Sequence, residues 1–134
     1  MNEYDYKIRL AYTKLNRALN ALDLMASLPL DKNRANVDAT IQRFEFTIEL
    51  FWLFLKVLLE SKGVEVQYPK DVFNAAYKGH LIDDEEFWLN MLKDRNLTSH
   101  TYDEKLADLI YARIKTYVPV FIKTLNSLVK KFDL

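Results

Sequence analysis

Arg95, Asn96, His100 and Tyr102 fall within eight consecutive residues, inside the run Asp94-Arg95-Asn96-Leu97-Thr98-Ser99-His100-Thr101-Tyr102-Asp103. A permanent cation, an amide, an imidazole and a phenol so close together suit the binding or cleavage of a phosphodiester. His100 is one of only two histidines in the chain. The run carries few large apolar side chains, so core packing alone does not account for it.

The elements on either side decide whether these groups can meet. On one continuous helix, five residues of separation turn about 140°, which puts Arg95 and His100 on different faces. They converge only if the helix ends between them. Thr101 followed by Glu104 reads as a capping box that starts the last helix. His100 then precedes that helix and Tyr102 occupies its first turn. A helix N-terminus offers free N–H groups and a positive field to an anion. The competing reading is structural. It makes Arg95 a surface ion-pair partner of Asp94 or Asp103, His100 a helix-end residue, and Tyr102 a half-buried phenol.

Glu45 and Glu49 lie four residues apart, on one face of a predicted helix, where like charges repel. The expectation is that one or both face the motif and accept hydrogen bonds from Arg95 or from the other helix ends. The alternative is a solvated surface stripe.

The pattern Arg95-x4-His100-x-Tyr102 resembles the motif of HEPN-domain proteins. The branch it most resembles is that of the nucleotidyltransferase substrate-binding proteins, small all-helical partners of minimal nucleotidyltransferases in toxin–antitoxin pairs. The run Gln42-Arg43-Phe44-Glu45-Phe46-Thr47-Ile48-Glu49-Leu50 and the order of helices carry the rest of the likeness. The resemblance implies a metal-independent endoribonuclease that uses the RNA's own 2′-hydroxyl. Arg95 would hold the scissile phosphate, His100 would transfer protons, and Asn96 would orient the site. Two such motifs would face each other across a homodimer. Tyr102 would accept AMP from the nucleotidyltransferase, a separate chain, and the added anion would block RNA. A rival from another class is a non-enzymatic subunit that presents a nucleotide, or Tyr102 itself, to that enzyme. A third reading is a plain scaffold.

Composition narrows the field. The 134 residues read as one domain, 1–134, half of them hydrophobic and 28% charged. Two glycines and three prolines are too few for a turn-rich β fold. No cysteine is present, which removes disulfides and thiolate metal sites. His80 has no second histidine at metal-ligand spacing. No metal or cofactor is therefore expected. Nineteen basic and nineteen acidic residues give zero net charge, which argues against a broad basic nucleic-acid face and favours self-association. The first residues lack signal-peptide character, and no apolar run is long enough for a membrane span, so a cytoplasmic protein is expected.

Periodicity predicts an all-α, up-and-down bundle of about five helices. The first covers about Tyr4–Leu28, with the stripe Tyr4, Ile8, Ala11, Leu15, Ala18, Leu22 and Met25, and Pro29 stops it. A polar connection, Leu30–Asn36, follows. The second helix spans about Val37–Lys62 and ends at Gly63. Its stretch from Leu50 to Leu59 is apolar almost all round, so both sides need cover, and a homodimer is the simplest source of it. A short third helix begins at Pro69 and ends at Gly79. The acidic run Asp83–Glu86 starts a fourth, which fades near Asn96. A fifth runs from about Tyr102, kinked rather than broken at Pro119.

Overall fold

The computed structural model describes residues 3–30 and 34–134. The first two residues and the centre of the expected polar connection, 31–33, lie outside them. The described chain is an all-helical bundle: α1 (Glu3–Ser27), α2 (Ala35–Ser61), α3 (Pro69–Lys78), α4 (Glu85–Leu97) and α5 (Glu104–Lys131), with one 3-10 turn at Thr98–His100. No strand occurs among the described residues.

Helix α2 is the spine. It packs against α1, α3, α4 and α5, and Phe51, Phe54, Leu55 and Leu58 on it have no solvent exposure. The apolar run Leu50–Leu59 is thus largely covered within one chain, by α1 and by the other helices, while Leu53 stays 37% exposed. Phe51 stacks on Phe121 at 5.5 Å and meets Trp88 at 4.8 Å, so aromatic rings join α2, α4 and α5 at the centre. The stripe of α1 drifts along its length: Leu19 and Ala26 are buried rather than Ala18 and Met25.

The helix ends follow local chemistry. After α2, Gly63 takes φ 83°. Its N–H donates to Glu60 O and that of Val64 donates to Leu59 O, a Schellman close that favours a residue without a Cβ. The same pattern ends α3, but there His80 takes the left-handed position at φ 62° while Gly79 stays at φ −86°. Gly79 is therefore not the left-handed residue. Asp84 caps α4 by accepting from Phe87 N at 3.1 Å. Helix α5 passes through exposed Pro119 without a break.

No helix among the described residues is long and apolar enough to cross a membrane.

Candidate functional site

The turn between α4 and α5 is built by hydroxyl groups that compete with the helical backbone bonds. Thr98 Oγ1 donates to Arg95 O at 2.6 Å, and Thr101 Oγ1 donates to Thr98 O at 2.8 Å. The chain tightens into the 3-10 turn and then leaves the helical path. Asp103 restarts it. Its Oδ1 accepts from Lys105 N at 3.0 Å and Leu106 N at 3.3 Å. The capping box predicted at Thr101 is therefore replaced by an aspartate cap two residues on. The 3-10 turn places the Thr101 hydroxyl against Thr98 O rather than over the free N–H groups of α5, and a carboxylate is the stronger acceptor for those groups. Tyr102 consequently stands just before the cap rather than in the first turn of α5.

The interruption allows Arg95 and His100 to leave the relation that one helix would impose. Arg95 sits in the last turn of α4, with its side chain about one-third exposed. Its Nη2 lies 3.7 Å from Glu49 Oε2 on α2. That separation is an ion pair without a close hydrogen bond. Arg95 Nε is buried and has no hydrogen-bond partner among the described residues. The guanidinium is thus positioned by a carboxylate yet keeps donors unspent. Glu45, one turn earlier on α2, forms no ion pair among the described residues.

His100 closes the 3-10 turn and is exposed. Its ring meets that of Tyr102 edge-on at 6.2 Å. Tyr102 is 84% exposed, the most open of the large apolar or aromatic side chains among the described residues. Asn96 is exposed on α4 beside Arg95. The structure therefore brings together Arg95 with Glu49, and His100 with Tyr102. No hydrogen bond or ion pair joins the two pairs among the described residues. No group of three or more potential metal ligands occurs among the described residues.

Asp94 escaped the sequence reading except as a surface ion-pair partner of Arg95, and that assignment is corrected. Asp94 is 3% exposed and faces α5, not Arg95. Its Oδ1 accepts from Arg113 Nη1 at 2.9 Å and its Oδ2 accepts from the Tyr117 hydroxyl. Burial, reinforced by the Asp94 carboxylate, pushes the Tyr117 phenol well above its usual ionisation range. The signal lay in the periodicity. Phe87, Met91 and Asp94 are spaced four and three apart, so the aspartate occupies a position that otherwise faces the core. A cleft of about 500 Å³ opens beside this cluster, lined by residues of α4 and α5.

Fold and motif together define a HEPN-like helical bundle with its Arg-x4-His turn between the fourth and fifth helices. Residues 7–130 match the family described as nucleotidyltransferase substrate binding protein like, and the chain belongs to that family. A Haemophilus influenzae protein described as a probable ribonuclease HepT is 32% identical over 104 residues, which span 74% of this chain and 69% of that protein. A solved structure from Thermus thermophilus has a TM-score of 0.78 and 38% identity, covering 85% of this chain and 98% of its own. A Haemophilus influenzae structure, described as the fold of a substrate binding domain of a nucleotidyltransferase, has a TM-score of 0.67 at 25% identity. The match covers 92% of this chain and 97% of that one.

Proposed function

We propose that this protein is a HEPN-type endoribonuclease that works beside a separate nucleotidyltransferase. The observation that carries the reading is the state of Arg95: oriented by Glu49 at 3.7 Å without a close hydrogen bond, with its side chain about one-third exposed. An unsatisfied, pre-positioned guanidinium suits a phosphate that arrives with the substrate. In this reading the RNA 2′-hydroxyl loses its proton and attacks the adjacent phosphorus. The bond to the 5′-oxygen breaks, leaving a 2′,3′-cyclic phosphate and a 5′-hydroxyl. His100 moves the proton, Arg95 offsets the charge that gathers on the phosphate oxygens, and Asn96 orients the site. The probable ribonuclease among the relatives supports this reading.

Tyr102 is the modification point. Its exposure leaves the phenolic oxygen open to a second protein. That oxygen would attack the α-phosphorus of ATP bound by the nucleotidyltransferase, releasing pyrophosphate and leaving AMP on the ring. The bulky anion then stands beside His100 and excludes RNA. Such control suits a toxin role in a toxin–antitoxin pair. The active form is a homodimer, supported by zero net charge and by the partly exposed Leu10, Phe46 and Leu53.

A second reading has its own support. The Haemophilus structure is described as a substrate binding domain, and a neutral chain lacks the basic surplus of many RNA-binding proteins. The protein would then bind a nucleotide for its partner without cutting RNA. Cleavage of a mixed RNA pool in EDTA separates the two. Wild-type protein with Tyr102 free of AMP should give cyclic-phosphate ends, and His100→Ala should lose at least about a hundredfold in rate. No cleavage by the unmodified wild type would remove the ribonuclease reading in favour of the binding subunit.

A further inference from the structure

We propose that the cleft between α4 and α5 is a binding site for a small phosphorylated molecule of mononucleotide size, with its phosphate held by Lys93 and Arg113. The site is separate from the Arg95–His100 turn. Neighbours on a helix point about 100° apart, and here Asp94 faces α5 while Arg95 faces α2. None of Arg95, His100 and Tyr102 lines the cleft.

Asp94 sets the geometry. Asp94 is 3% exposed, and a carboxylate so far out of water needs partners for its oxygens. What the carboxylate does is aim Arg113. One oxygen takes Arg113 Nη1, and the other takes the hydroxyl of Tyr117, itself buried in the core. Arg113 remains 44% exposed at its side chain. It makes no other side-chain hydrogen bond or ion pair among the described residues. The rest of its donor fork is thus held in one orientation and left unused, the state that binds an incoming anion with least ordering cost.

Lys93 lines the same cleft from the α4 wall and has no ion-pair partner among the described residues. With Lys93, Arg113 and Asp94 the lining carries a surplus of one positive charge, in a chain whose total is zero. The remaining lining fits the body of the ligand. Asn90 can donate and accept. Thr116 has given its proton to Arg113 O at 2.6 Å, which leaves its oxygen as an acceptor for a hydroxyl or amine. Phe87 and Leu97 supply an apolar surface. A volume of about 500 Å³ falls within the range of small-molecule sites.

Binding is the readout, so the outcome is independent of the ribonuclease reading. Calorimetric titration of the full-length protein with AMP, ribose 5-phosphate and adenosine makes the test. AMP and ribose 5-phosphate should bind saturably at sub-millimolar to millimolar concentration, and adenosine should not. Lys93→Gln and Arg113→Gln should each weaken AMP binding at least about tenfold, and Arg95→Ala should not. Asp94→Asn should also weaken it, since the guanidinium stays present but is no longer aimed by a charge. Lys93 is exposed, so its variant keeps the test open if the Arg113 variant folds poorly. Absence of AMP binding at millimolar concentration would overturn the proposal. So would binding that Arg95→Ala abolishes and Lys93→Gln leaves intact, or binding confined to RNA oligomers.

Discussion

Asp94 and Arg95 are consecutive residues with opposite environments, and the contrast shows what neighbours in three dimensions add to residue type. Arg95 sits against a half-exposed glutamate and keeps unused donors. Asp94 is enclosed and spends both oxygens. The Tyr117 phenol, held protonated by burial and by this carboxylate, makes a pH prediction. An ordinary tyrosine ionises near pH ~10. Below that, both folded and unfolded chains carry the proton and the stabilisation is complete. As pH rises further, the unfolded chain releases its proton before the folded one. Stability is therefore lost progressively from about pH 10 up toward the folded value. Urea unfolding at about pH 8 and about pH 10.5 should show a smaller loss for Tyr117→Phe than for wild type. Equal losses in the two proteins would show that Tyr117 does not contribute. The residue types of the Arg-x4-His-x-Tyr turn were plain in the sequence. The Asp94–Arg113–Tyr117 cluster was not, because its members lie 19 and 23 residues apart on two helices.

At the scale of elements, the informative boundary is the one between α4 and α5. Local pattern places the cap of the last helix at Thr101, because of Glu104, and the structure places it at Asp103. The backbone turn decides this by directing the Thr101 hydroxyl toward Thr98 O and setting Asp103 Oδ1 against Lys105 N and Leu106 N. Asp103→Ala should then destabilise the protein by about 1 kcal/mol. Thr101→Ala should cost less, since its hydroxyl bonds one turn carbonyl while Asp103 holds two free N–H groups of α5. Chemical denaturation of the two variants measures the difference, and the reverse order would return the cap to Thr101. The consequence reaches the site. A cap at Asp103 leaves Tyr102 outside the helix, where its ring is open to solvent.

At the scale of the whole molecule, exposed apolar side chains bear on assembly. Leu10 and Leu53 are 43% and 37% exposed, and Phe46 is 47% exposed. These side chains on α1 and α2 are the surface on which the proposed homodimer would close. Sedimentation should show a concentration-dependent dimer, and Phe46→Lys should shift it to monomer without lowering secondary structure. A wild-type protein that stays monomeric at high concentration would remove the homodimer. The sequence by itself determined the helical class, the five segments and most of their ends. Those follow from periodicity, caps and helix breakers, which act over a few residues. Only the tertiary structure decided how α2 is covered, which way Asp94 and Arg95 point, and that a cleft opens between α4 and α5. These depend on the packing of helices far apart in the chain. A partial rotation of one helix about its axis would change each of them while leaving every local pattern intact.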